Sequence, residues 1–205
     1  MTNGAFPVAV AGEQGARRRR LATMLACATW FTLISGWTSA PVRAAEEAEA
    51  LEHRVKAAYL YKFAGYVEWP AKSFTRSEAQ VTIGVMGNDP LAAELVQAVT
   101  GRTVSDRMVV VKRLRPGESL AGIQVLFVGK AENARLSQVA QSAQPRSILI
   151  VTESEGALAQ GSMINFVIAE RRVRFEIALD AAEKSGLKLS SRLLAVAQQV
   201  RQGTN

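Results

Sequence analysis

The sequence predicts an α/β domain: a mostly parallel sheet flanked by helices, with a C-terminal β-hairpin and a terminal helix. Three observations carry that reading. Short, nearly continuous apolar runs such as Val81–Met86 and Ile123–Val128 alternate with stretches of helical periodicity, the pattern of strands buried on both faces by crossover helices. Turn chemistry closes the runs, as in Gly87-Asn88-Asp89-Pro90. In the last third, Met163–Ile168 and Val173–Leu179 flank Ala169-Glu170-Arg171-Arg172, a spacing that suits a hairpin.

The N-terminal region precedes that domain. Four arginines, Arg17 to Arg20, lead into Leu21–Trp37, an apolar stretch interrupted by hydroxyl residues and too short for a membrane span of about 20 residues. Val42 and Ala44 then supply the small residues that a signal peptidase reads. The expectation is a cleaved export signal over residues 1–44 and a single domain over 45–205. Of the 25 basic and 18 acidic residues, the first 44 positions hold five and one, so the remaining 161 residues carry a formal charge of only +3. The high isoelectric point therefore belongs largely to the export signal. Nucleic-acid binding, which needs a sustained basic surface, loses its main support.

Within the domain, Leu51, Val55, Ala58, Tyr59, Phe63 and Tyr66 fall at helical spacing, with Arg54, Lys56 and Lys62 assigned mostly to other faces. Glu46–Glu52 reads as a solvated lead-in. The helix must end before Pro70, which drives Trp69 out of helical geometry. Val81–Met86 is a strand, and Asn88 or Asp89 caps the helix over Leu91–Val99 with Pro90 in its first turn. Met108–Val111, Ile123–Val128 and Ser147–Thr152 read as further strands, with a helix over Glu132–Ser142. After the hairpin, Ala181–Lys184 forms a helical turn closed by Gly186. A terminal helix starts at Ser190-Ser191 and carries Leu193, Leu194, Val196, Ala197 and Val200.

The chemistry-bearing residues argue against catalysis. Cys27 is the only cysteine and leaves with the export signal, so the remaining chain forms no disulfide and has neither thiol nucleophile nor thiolate metal ligand. His53 is the only histidine and, between Glu52 and Arg54, reads as a surface residue with no metal or triad partner at helical spacing. Gly84-Val85-Met86-Gly87 lacks the third glycine of a dinucleotide turn. Gly129-Lys130 lacks both the first glycine and the Ser/Thr of a phosphate loop, since Gln124 and Ala131 stand there. Glu153 and Glu155, beside Ser154 and Gly156, read as a solvated turn. No metal site and no cofactor are expected.

Two clusters remain as binding candidates. Trp69, with Tyr59, Tyr61, Tyr66 and Glu68 around the helix exit, either closes the core edge or forms an aromatic patch for a partner, aromatics being frequent interface anchors. On the hairpin, Arg174 and Glu176 share a strand face. With Arg172, Asn165 on the neighbouring strand and Asn88 at a strand end, they offer either fold-holding hydrogen bonds or a polar pocket.

The order of Val55–Pro70, VKAAYLYKFAGYVEWP, then Gly-Asn-Asp-Pro after a strand, then Gly161–Leu194 with its Asn-Phe and Arg-Phe-Glu strands resembles the YfiR-like family. That resemblance implies a non-catalytic periplasmic regulator, a homodimer, that binds and represses the periplasmic part of an inner-membrane diguanylate cyclase and lowers cyclic di-GMP signalling. It also implies release by an envelope signal or an outer-membrane lipoprotein. Two departures stand out: the mature chain lacks the cysteines of the best-known relative, and Ala178 stands where the family pattern has asparagine. The alternative from the residues is a periplasmic small-molecule-binding module feeding a sensor kinase or an uptake receptor.

Overall fold

Apolar runs short enough for strands and flanked by turn residues meet side by side in the computed structural model, which describes residues 1–2, 40–74 and 80–203. The chain divides into two compact units, Met1–Glu47 and Ala48–Asn205. Residues 3–39, with the arginine run and apolar stretch of the expected export signal, lie outside the described residues.

In the second unit, β2 (Gln80–Met86), β4 (Arg107–Leu114), β5 (Val125–Val128), β6 (Leu149–Thr152) and β7 (Ile164–Ala169) run parallel. β8 (Arg172–Ala178) returns antiparallel to β7 as the expected hairpin, and β10 (Gln199–Arg201) lies parallel to β8. With β3 (Thr103–Val104) on the other edge, the order is β10-β8-β7-β6-β5-β2-β4-β3. A separate two-stranded ribbon pairs β1 (Val67–Glu68) with β9 (Lys188–Leu189), antiparallel.

Side chains alternate between the two faces of this sheet, as strand geometry requires. Val125, Phe127, Leu149 and Val151 join Leu60, Phe63, Leu91 and Leu95 in one apolar cluster. Leu126, Val128 and Ile150 join Leu136, Ala143 and Ala157 in the other. Helices α1 (Ala40–Gly65) and α2 (Asp89–Val99) therefore contribute to one face, and α3 (Leu136–Ala143) to the opposite face. Both faces are covered, which is why these strands read as continuous apolar runs. Phe63 sits at the centre of an aromatic cluster, 5.0 Å from Phe175, 5.7 Å from Phe166 and 5.8 Å from Tyr59 between ring centroids.

Four elements differ from the sequence reading. Helix α1 begins at Ala40 instead of Leu51, because Ala44–Leu51 is built almost wholly of good helix formers. The expected Glu132–Ser142 helix is a tight 3-10 segment, Lys130–Arg135, before α3 begins. There the Glu132 side chain packs over Gly87, while the Glu132 N–H donates to the Gly129 carbonyl, drawing in the first turn. Leu179 opens α4 (Leu179–Lys184) instead of ending a strand. The terminal helix is only α5 (Ser191–Ala195), after which the chain becomes β10. The open edge of β8 supplies the reason: Gln198 N–H donates to Phe175 O at 2.8 Å, and strand pairing outweighs a helical spacing that Val196, Ala197 and Val200 would also satisfy.

Candidate functional site

The buried stripe of α1 passes through His53, Lys56, Ala57, Leu60, Phe63 and Ala64, steps of three and four residues that keep one face toward the sheet. Its C-terminal half is apolar and packs on the sheet, whereas its N-terminal half puts a histidine and a lysine inside. Lys56 therefore lies on the core stripe, not on another face. The reason is register: it precedes Leu60 by four residues and Phe63 by seven.

A buried cation needs compensation, and the strand ends provide it. Glu153, immediately after β6, accepts from Lys56 Nζ at 2.5 Å, and Glu52, one turn earlier on α1, accepts a second bond. The Lys56 and Glu153 side chains are only 3% and 7% exposed. Burial opposes the charge on Lys56, but hydrogen bonds from Glu153 and then Glu52, with their negative charge, outweigh it and raise the ammonium's pKa above the usual lysine value.

Asn88, after β2, ties this pair to the next layer. Its Oδ1 accepts from Leu91 N–H at 3.0 Å and so caps α2, while Nδ2 donates to Glu153 Oε1 at 3.2 Å. The same Nδ2 lies 3.5 Å from Nε2 of His53, which is 8% exposed. Two sequence readings are thus corrected: His53 is buried, not a surface residue, and Glu153 is a paired interior carboxylate, not part of a solvated turn. The close approach of the β2 and β5 ends depends on Gly129, where a Cβ would stand 2.5 Å from the Gly87 carbonyl oxygen.

Beside this network, at the carboxyl ends of β2 and β4, lies a cleft of about 880 Å³ whose lining includes His53, Asn88, Asp89, Arg113 and Arg115. Open parallel sheets commonly take ligands at such ends. The cleft mixes cations, anions and amides, with Arg113 loosely paired to Asp89 at 4.0 Å. Among the described residues, no group of three His, Cys, Asp or Glu side chains is placed to hold a metal ion.

The residues singled out from sequence fall in separate places. Tyr59 packs inward, edge-on to Phe175 at 5.4 Å and 6.1 Å from Phe166. Tyr61 points elsewhere, its hydroxyl donating to Thr103 O at 3.1 Å with Arg102 over its ring. Tyr66 and Glu68 are exposed, and Glu68 lies opposite Lys188 in the β1–β9 ribbon. Trp69 is half-buried and edge-on to Phe74 at 6.2 Å, with its indole N–H buried and lacking an acceptor among the described residues.

The polar set divides in the same way. Asn88 belongs to the Lys56 network. Asn165 is buried and accepts from Thr152 Oγ1 at 2.7 Å, within a small hydroxyl network that includes Ser162. Glu176 lies opposite Asn165 in register but pairs with Arg201 at 3.8 Å. Arg172 and Arg174 line a different surface, a groove between α1 and the hairpin.

Residues 53–198 match the family described as YfiR/HmsC-like, from His53 on the buried stripe to Gln198 at the β8 edge. The chain belongs to the YfiR/HmsC-like family. This family is periplasmic and regulatory rather than catalytic, and its theme is control of a membrane diguanylate cyclase. No curated protein matches the chain. No helix among the described residues is long and apolar enough to cross a membrane. The YfiR/HmsC-like match begins at His53 and includes Lys56, Asn88 and Glu153, so the interior polar network lies inside it except for Glu52, one residue before its start.

Proposed function

We propose that this protein is a non-catalytic periplasmic regulator that binds the periplasmic part of an inner-membrane diguanylate cyclase and holds it inactive, lowering cyclic di-GMP. The observation that carries the reading is the YfiR/HmsC-like match over residues 53–198, which takes in every strand of the main sheet except β10. Residues 1–44 serve as the export signal, the mature protein is a homodimer, and an outer-membrane lipoprotein relieves the repression.

Physically, repression is a population shift. The regulator must prefer the inactive cyclase over the active one, and reversing a 99:1 equilibrium takes a preference of about 10⁴-fold. The docking patch proposed is the exit of α1, where Tyr66 and Glu68 are exposed beside half-buried Trp69. The cleft by His53 and Asn88 favours a second reading, a small-molecule-binding module whose output is a sensor kinase or uptake receptor.

Co-purification from solubilised envelope tests both. Recovery of a membrane diguanylate cyclase with the wild-type protein and its loss with Trp69→Ala support repression through the α1 exit. Recovery of a kinase or receptor instead supports the second reading.

A further inference from the structure

We propose that the groove between α1 and the tip of the β7–β8 hairpin receives a short, extended, acidic segment of a partner protein, added as a strand beside Val173. This inference rests on the regulator reading above and adds a second contact, apart from the α1 exit, with the chemistry of the segment that docks there.

Three observations converge on the groove, which encloses about 470 Å³. Its floor is apolar: Leu51 and Val55 on α1 face Ile168 and Val173 on the hairpin. Leu51 and Ile168 are 58% and 57% exposed, and Val55 and Val173 are only half-buried. Its charged lining is mainly cationic: Arg171, Arg172 and Arg174 face one carboxylate, Glu52, which is already paired with Lys56, and none of the three arginines forms an ion pair among the described residues.

The third observation is a free strand edge. β10 pairs with β8 only at Glu176–Ala178, and Gln198 N–H occupies the carbonyl of Phe175. The two-residue loop Glu170-Arg171 has φ of 50° and 58°, the turn that makes Ala169 and Arg172 a hydrogen-bonded pair. Hydrogen-bonded pairs then alternate along the hairpin, so the N–H and C=O of Val173 point away from β7, on the side where Phe175 meets Gln198. No strand lies beside Arg172–Arg174 on that side among the described residues. Such an edge is a template for strand addition, where main-chain bonds give affinity and flanking side chains give selectivity. Three arginines along four residues select carboxylates, and the apolar floor accepts the alternate side chains of an extended segment.

Fluorescence anisotropy with a labelled hexapeptide of alternating glutamate and valine tests the groove directly. The purified protein should bind it saturably. Arg172→Glu with Arg174→Glu should weaken binding at least about tenfold, Ile168→Asp should do the same, and a peptide N-methylated at alternate amides should not bind. A variant that loses its far-UV circular dichroism is replaced by Arg172→Glu alone, whose side chain is exposed. No saturable binding, or equal binding by the charge-reversed protein or the N-methylated peptide, overturns the proposal. Envelope co-purification separates this from the wider reading. Failure of the wild type to retain a cyclase overturns the regulator reading and leaves the peptide result standing; equal retention by wild type and the charge-reversed variant overturns the groove as the cyclase contact.

Discussion

Lys56 Nζ lies 2.5 Å from Glu153 Oε2, joining the first helix to the end of the fourth strand of the parallel set across 97 positions of sequence. Both side chains are almost fully withdrawn from solvent, so neither charge can be left alone cheaply. Glu153→Gln or Lys56→Met is expected to cost about 3–5 kcal/mol, the usual range for breaking a buried pair. The double replacement Lys56→Met with Glu153→Leu should recover much of that loss, because it removes both buried charges. Urea denaturation of the single and double variants reads both effects.

The same pair sets an alkaline limit. Lys56 has a raised pKa when folded, so its contribution is complete below the ordinary lysine value of about 10.4 and declines as pH rises through the higher folded value. Over that alkaline interval the unfolded chain releases the proton first, and stability falls with pH. Wild-type stability should therefore drop more steeply above about pH 10.4 than that of the Lys56→Met, Glu153→Leu protein. Parallel slopes for the two proteins would refute a stabilising role for the ammonium.

Asn88 performs two tasks with two ends of one amide. Asn88→Ser keeps a capping oxygen for α2 and loses the donor to Glu153, whereas Asn88→Ala loses both. Loss of a cap costs about 1 kcal/mol, so the alanine variant should melt below the serine variant, and both below wild type. Thermal denaturation followed by circular dichroism orders the three.

Gly129 and Gly65 provide a contrast. A methyl group at Gly129 meets the Gly87 carbonyl, which is backbone and cannot step aside, while one at Gly65 meets nothing within 4 Å. Gly129→Ala should destabilise by about 1–3 kcal/mol, and Gly65→Ala should stabilise by up to about 1 kcal/mol through the unfolded chain. Chemical denaturation midpoints of the two variants should move in opposite directions.

The parts of the fold that the sequence makes legible are those where burial is two-sided. Val125–Val128 and Leu149–Thr152 read as strands because both faces are covered, and Asn-Asp-Pro marks the start of α2 because capping is local chemistry. The interior polar network is different, because its partners meet only in three dimensions. Glu153 sits among Ser154, Glu155 and Gly156, neighbours that mimic a solvated turn, and nothing nearby announces a lysine from the first helix. One signal was present: Lys56 shares the stripe of Leu60 and Phe63, and a cation on a core stripe requires a buried carboxylate somewhere. β10 was hidden for a related reason, since its apolar spacing also fits a helix and only the open edge of β8 decides between them.

The level of cyclic di-GMP in living cells tests cyclase repression most directly. A strain lacking this protein should show raised cyclic di-GMP, restored by the wild-type chain. Levels unchanged by the deletion, with the diguanylate cyclase expressed, would contradict the account.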